Sequence, residues 1–141
     1  MDNTCPFCAI GRGAIDGDLV AFRAPSVFVV PALKQRRSNA GQVLVCPVSH
    51  ETSLYRLQTG LRNELFEVAA AVMAAATRAF GAVGTTVLVN DNAPDQTLKH
   101  LHVHVIPRVA DDDLMIPNTD GVPAPRSLRL ELALKSRAAM E

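Results

Sequence analysis

The chain has 141 residues, 48% of them hydrophobic and none of them tryptophan, which is enough for one domain with a substantial core. Fourteen basic residues balance fourteen acidic ones, and this neutrality argues against a general nucleic-acid binder. No apolar run approaches the roughly 18 residues of a membrane span, and the first residues do not resemble a signal peptide. We therefore expect a cytoplasmic protein that binds neither nucleic acid nor membranes.

Two cysteines near the start, Cys5 and Cys8, are separated by Pro-Phe and allow two interpretations. A Cys-x-x-Cys pair occurs in thiol redox sites, but there a strand normally leads into the first cysteine, and only four residues precede Cys5. The same spacing lets two thiolates bind one tetrahedral zinc ion, which then needs two more ligands. His50, which follows a predicted strand, is the natural third ligand because the other three histidines cluster elsewhere.

Several segments show the composition of regular secondary structure. Residues 19–22 and 26–30 read as two strands joined by a turn, and Pro31 ends the second strand because proline cannot donate to a ladder. Residues 41–47 read as a third strand in which Cys46 is a buried core thiol. The basic loop at 34–39 is interpreted as solvated, with a positive rim beside an anionic ligand as the alternative.

A long helix is predicted over residues 59–80, with Thr59 as its N-cap and Gly81 at its C-cap. Its apolar stripe repeats with helical spacing, so we interpret it as scaffold. Residues 85–89 form a fourth predicted strand, and residues 87–105 an antiparallel hairpin. A short C-terminal helix is predicted from Ser127 to Met140.

The most specific signal is the stretch from Lys99 to Arg108, where His100, His102 and His104 alternate with aliphatic residues. A period of two is typical of a β-strand, and it places the three imidazoles on one face at intervals of about 6.5–7 Å. Such a row of rings can hold a phosphate group from several points, and a neutral imidazole can act as the nucleophile.

This motif resembles the histidine triad (HIT) family of nucleotide hydrolases and transferases, and the resemblance covers roughly residues 5–108. The two early cysteines, residues 41–47, His50, the long helix, Asn90 and Gln96-Thr97 precede the motif in the family's order. The resemblance implies an α+β fold with a five-stranded antiparallel sheet, one long helix and a two-fold homodimer. We predict one HIT-like domain over residues 1–141, with its core at 5–108 and a C-terminal extension at 109–141.

The resemblance also implies the roles of the catalytic residues. His102 would be the nucleophile that forms a covalent nucleotidyl–histidine intermediate, and His104 would bind the phosphate or assist the leaving group. Asn90, Gln96 and Thr97 resemble the family's phosphate contacts. The predicted reaction is cleavage of nucleoside 5′-phosphoramidates or related nucleoside 5′-phosphate conjugates. Hydrolysis of dinucleoside polyphosphates and nucleotidyl transfer would use the same residues, and a non-catalytic nucleotide- or zinc-binding module is the third alternative.

In the zinc-binding bacterial branch of the family, the first histidine of the motif is a metal ligand. By that resemblance Cys5, Cys8, His50 and His100 would hold one structural zinc ion per chain, and no organic cofactor is expected. Two positions depart from the family's pattern. An aspartate that often follows the second strand and binds the ribose is absent at Pro31-Ala32-Leu33, and Gln42 replaces a histidine after the glycine.

Overall fold

A computed structural model describes residues 4–114 and 122–140 of the chain. Its centre is the five-stranded antiparallel sheet that the family resemblance implied. The strands are β1 Phe22–Arg23, β2 Val27–Pro31, β3 Val43–Pro47, β4 Gly84–Val89 and β5 Val103–Arg108; the helices are α1 Pro6–Gly11, α2 Thr59–Phe80 and α3 Arg126–Met140. Within the sheet the strands lie in the order β1-β2-β3-β5-β4.

Both faces of the central strands are covered, which explains why β2 and β3 are almost continuously apolar. On one face, Val27 and Val29 belong to a cluster with Leu65 and Val68 of α2. On the other face, Phe28 and its neighbours pack against α1 and the two early cysteines. Because successive strand residues point to opposite faces, one short strand connects the scaffold helix to the N-terminal segment.

The long helix has the predicted bounds, Thr59–Phe80, but the predicted N-cap is wrong by one residue. Gln58 has the extended backbone of an N-cap and makes no side-chain capping bond, while Thr59 is already helical. At the other end, Gly81 has φ 63°, the left-handed conformation expected at a helix C-terminus. The antiparallel hairpin is confirmed, with Val87 paired to Val105.

The first predicted strand is displaced. Residues 17–19 form a 3-10 turn, and β1 spans only Phe22–Arg23 at the edge of the sheet. The backbone of Asp16 has φ 51°, and Leu19 N–H donates to its carbonyl at 3.0 Å. Leu19, the first residue of the predicted strand 19–22, therefore lies in this 3-10 turn.

The strand predicted to carry all three histidines begins only at Val103, so His100 and His102 precede it. Leu101 N–H donates instead to the carbonyl of Glu51 at 2.6 Å, in the loop after β3. Leu101, Val103 and Val105 are nevertheless all fully buried, as predicted, but His100 is fully buried as well, while His102 and His104 are partly buried. Tertiary packing therefore buries the aliphatic positions without a regular ladder.

A carboxylate after β5 anchors the end of that strand. Arg108 donates to both carboxylate oxygens of Asp112, from Nε at 2.6 Å and from Nη2 at 2.7 Å. The N–H groups of Val109 and Leu114 donate to the same carboxylate, and Arg36 donates to the Asp112 carbonyl. The basic loop at 34–39, interpreted as solvated, is thus connected to the segment after β5 by a hydrogen bond from Arg36.

We expect Asp112→Asn to lower the Tm at pH 7 and to flatten its acid dependence. The hydrogen bond from Arg108 holds the pKa of Asp112 well below its usual range, so the unfolded chain binds more protons as the pH falls. The stabilisation is complete above the unfolded pKa of about 3.9 and fades below it. Thermal unfolding at pH 2–7 tests this, with the exposed neighbour variant Asp111→Asn as control. An unchanged pH slope in Asp112→Asn would contradict it.

The C-terminal helix α3 is confirmed, beginning one residue before the predicted start. None of its residues is buried. In the described parts of the chain, no helix combines the length and apolar character that crossing a bilayer requires. Residues 115–121 of the predicted C-terminal extension lie outside the described residues, and the division into core and extension stays a prediction.

Candidate active site and metal centre

Three separate segments bring two cysteines and two histidines together. Cys5 precedes α1 and Cys8 lies in its first turn, while His50 follows β3 and His100 precedes β5. One ligand atom from each of these residues lies within 4.8 Å of all the others. The four predicted metal ligands are therefore assembled, although 95 positions separate the first and the last of them.

His100 is held in the form that binds a metal ion. Its Nε2–H donates to the carbonyl of Pro47 at 2.8 Å, which leaves the lone pair on Nδ1. That Nδ1 lies 3.4 Å from Sγ of Cys5 and 3.5 Å from Sγ of Cys8. Burial of the ring lowers the pKa of His100 and favours the neutral imidazole.

The spacing of these atoms fits tetrahedral zinc. His50 Nδ1 lies 3.2 Å from Sγ of Cys8. Ligand bonds of about 2.0–2.3 Å place neighbouring ligand atoms about 3.5 Å apart in a tetrahedron. Cys5 and Cys8 are both buried, and Sγ of each lies within 3.5 Å of a histidine Nδ1. The third thiol, Cys46, is fully buried as predicted, and burial raises its pKa.

A backbone carbonyl determines which ring nitrogen of His102 carries the proton. Its Nδ1–H donates to the carbonyl of His100 at 2.8 Å, so the lone pair of the neutral ring is on Nε2. The ring also contacts Phe7 edge-on, with centroids 5.2 Å apart. His102 is therefore an oriented imidazole whose free nitrogen can attack a phosphorus atom.

His104 has the opposite tautomer. The side-chain amide of Gln42 donates from Nε2 to Nδ1 of His104 at 3.0 Å, so the proton of the neutral ring is on its Nε2. This buried Nε2–H has no hydrogen-bond partner among the described residues. Burial, followed by the charge of His102, lowers the pKa of His104 to about 4. With ring centroids 4.8 Å apart, the two neighbouring imidazoles carry their protons on different ring nitrogens.

Gln42→Leu should lower kcat of the phosphoramidate cleavage predicted from the sequence by about tenfold, because His104 loses the hydrogen bond that selects its tautomer. Gln42 acts through His104, so KM should change less than kcat. Gln42→His supplies a ring N–H donor and should recover most of the rate. The exposed variant Gln58→Leu is the matched control. Steady-state kinetics test this positioning role, and equal kcat values for Gln42→Leu and the wild type would contradict it.

Besides His104, three residues are predicted to contact phosphate, and the structure places them in different surroundings. Thr97 lines a cleft together with His102. Gln96 is buried, and its amide is engaged at both ends within its own loop, by Asn92 N–H and the Leu98 carbonyl, each at 2.8 Å. Asn90 follows β4 and is partly buried. The structure thus brings Thr97 beside the histidines and gives Gln96 a role in shaping the loop.

The cleft beside His102 has a volume of about 600 Å³. Apolar side chains of α1, β2 and β3 form much of its wall, and Asp16 and Lys34 are its charged members. The sequence alone did not single out Asp16, which lies in an unremarkable polar loop. A second cavity of about 350 Å³ lies between α2 and the sheet; only apolar residue types line it. Of these two cavities, only the first is lined by polar and titratable side chains.

Comparison with known proteins identifies the family of this chain. The HIT domain model matches residues 27–111, so the chain belongs to the histidine triad family, whose members are nucleotide hydrolases and transferases that bind nucleotide substrates. The nitrilase and fragile histidine triad fusion protein of Caenorhabditis elegans is 33% identical over 102 residues. That match covers 72% of this chain but only 23% of the relative.

Solved structures support the fold over nearly the whole chain. A Streptococcus mutans protein is 26% identical with a TM-score of 0.80, and the match covers 100% of this chain and 88% of that one. A zinc-bound histidine triad family protein from Mycobacterium smegmatis is also 26% identical, with a TM-score of 0.71 and coverage of 96% and 97%. The α+β fold predicted from the sequence is confirmed.

Proposed function

We propose that the protein hydrolyses nucleoside 5′-phosphoramidates, or related nucleoside 5′-phosphate conjugates, through a nucleotidyl group carried on His102. The observation that carries this proposal is the bond from His102 Nδ1–H to the His100 carbonyl, which leaves Nε2 unprotonated. An imidazole nucleophile is reactive only through such a free lone pair. The backbone acceptor maintains this tautomer without a second ionisable residue.

The proposed reaction has two steps. His102 Nε2 attacks the phosphorus atom, a P–Nε2 bond forms, and the bond from phosphorus to the amine breaks as the amine leaves with a proton taken from solvent water. A water molecule then attacks the phosphorus and returns a proton to the solvent, the P–Nε2 bond breaks, and the nucleoside 5′-monophosphate leaves while the neutral imidazole, still protonated on Nδ1, is regenerated. Negative charge accumulates on the phosphoryl oxygens in both steps. The unpartnered Nε2–H of His104 is a suitable donor to that charge.

We also propose that Cys5, Cys8, His50 and His100 hold one zinc ion per chain. Four protein ligands fill a tetrahedron, so the bound ion supplies structural cross-linking and leaves no position for substrate. His100 links this centre to the reaction, because its backbone carbonyl accepts a hydrogen bond from His102 Nδ1–H. The ion would thereby fix the backbone that orients the nucleophile.

A two-fold homodimer remains part of the proposal. β4 is an edge strand of the sheet, so its outer backbone groups are available for pairing with a second copy. The outward faces of α2 also include the exposed apolar residues Phe66, Met73 and Phe80. An unpaired edge beside an apolar helix face is typical of an interface between identical chains.

The test is incubation of the zinc-loaded protein with adenosine 5′-phosphoramidate, with AMP release followed by chromatography and adducts by intact-protein mass spectrometry. We expect AMP release and, after rapid quenching with denaturant at alkaline pH, where the P–N bond of the adduct is stable, a mass increase equal to one adenylyl group. A panel including dinucleoside polyphosphates runs in parallel. Turnover of those compounds alone would replace the proposed substrate class, and binding of AMP without turnover of any compound would favour the binding module.

A further inference from the structure

The cleft beside His102 combines a few polar side chains with a largely apolar wall. Its volume of about 600 Å³ lies within the range of about 300–1,000 Å³ that is usual for small-molecule sites. Thr97 and His102, the proposed nucleophile, are among its polar lining residues. Apolar groups suited to one face of a nucleobase come from Phe7, Ile10, Leu19, Val30, Leu44 and Leu98.

A ribose bound in this cleft needs an acceptor for its hydroxyl hydrogens, and β2 does not provide one. The residues that end this strand and follow it, Pro31, Ala32 and Leu33, line the cleft with hydrocarbon side chains only. Lys34 comes next, but an ammonium group has donors and no acceptor. Family members that carry an aspartate after the second strand have a carboxylate in this region; this chain has none there.

Asp16 is the only carboxylate among the residues that line the cleft. It approaches from the loop between α1 and β1, on a different segment from β2. Within residues 4–114 and 122–140, its side chain makes no capping bond and no ion pair. Its backbone is nevertheless held, because Leu19 N–H donates to its carbonyl at 3.0 Å. The Asp16 carboxylate is therefore a hydrogen-bond acceptor at the wall of the cleft, and a backbone hydrogen bond holds the turn that carries it.

We propose that Asp16 binds the ribose 2′- and 3′-hydroxyls of the nucleotide and sets the preference of this enzyme for ribonucleotides. The two carboxylate oxygens can each accept one O–H of the vicinal diol, and hydrogen bonds to a charged acceptor are the stronger kind. This inference rests on the proposed function, because it requires that a nucleotide occupies the cleft. It transfers ribose recognition from the end of β2 to the N-terminal loop.

The first experiment compares adenosine 5′-phosphoramidate with its 2′,3′-dideoxy counterpart. We expect the wild type to favour the ribose compound by about tenfold in kcat/KM, since loss of a charged hydrogen bond typically costs at least this factor. Asp16→Asn and Asp16→Gly should lose most of this preference, because the ribose compound falls towards the rate of the dideoxy compound. Asparagine and glycine both tolerate the φ of 51° at this position, so the turn should persist.

Asp18→Asn is the matched control, since Asp18 lies in the same turn, is exposed and does not line the cleft. Wild-type discrimination in both Asp16 variants would overturn the inference, as would loss of discrimination in Lys34→Ala alone. If no variant turns over substrate, calorimetric titration with AMP and with 2′,3′-dideoxy-AMP measures the same preference as a ratio of Kd values. Asp16-dependent binding without turnover would reject the proposed reaction and keep this inference, while binding of neither nucleotide would reject both.

Discussion

His102→Gln is expected to lower kcat for AMP release by at least about 10³-fold and to abolish the adenylyl adduct. Glutamine has no nitrogen lone pair able to attack phosphorus, so the covalent nucleotidyl intermediate cannot form. Removal of a nucleophile from an assembled site typically costs 10³-fold or more, while binding groups preserve some residual rate. Because His102 is partly exposed, the substitution should leave the fold and the zinc content intact.

His104→Gln is the informative comparison for that variant. It retains the nucleophile and loses the ring N–H donor, so we expect a slower reaction, by about 10²-fold, in which the adduct still forms. Single-turnover kinetics with rapid quenching separate adduct formation from hydrolysis. Near wild-type turnover by His102→Gln, or an adduct that persists in it, would assign the nucleophile to another residue.

Cys8→Ser is expected to lower the zinc content from one ion per chain to nearly none and the Tm by about 10 °C or more. The proposed ligands come from three segments, so the ion would connect α1, the loop after β3 and the residues before β5. Zinc that binds only the folded chain adds its binding free energy to folding. The variant should also lose AMP release, because the His100 carbonyl that orients His102 would no longer be anchored.

Cys46→Ala is the matched control, since it removes a buried thiol that lies outside the ligand cluster. It should retain one zinc ion per chain while losing only core packing. Metal content by mass spectrometry and thermal unfolding with and without a chelator provide the measurements. A Cys8→Ser protein that still holds one zinc ion, or a wild-type Tm that a chelator leaves unchanged, would contradict the zinc assignment.

Residue chemistry and local periodicity were enough to predict much of this protein. The bounds of α2 could be predicted because helical spacing and a C-terminal glycine are properties of one continuous segment. The hairpin pairing of Val87 with Val105 follows from two alternating strands close in sequence. Cys5, Cys8 and His50 could be named as candidate ligands because few residue types bind zinc, whereas His100 was added only by the resemblance to the zinc-binding branch of the family. The row of histidines could be recognised because its period of two is a local property of the sequence.

Only the tertiary structure decided how those residues are oriented and what surrounds them. β5 begins only at Val103 and carries only His104 of the three histidines, because Leu101 N–H donates to the carbonyl of Glu51 in a distant loop. The proton positions on His102 and His104 depend on a backbone carbonyl and on Gln42, which is 62 positions from its partner. Asp16 lies at the wall of the cleft, beside residues of β2, β3 and the segment before β5. The bond from Leu101 to Glu51, the bond from Gln42 to His104 and the lining of the cleft all join residues far apart in the chain, and the periodicity of one segment carries no information about such contacts.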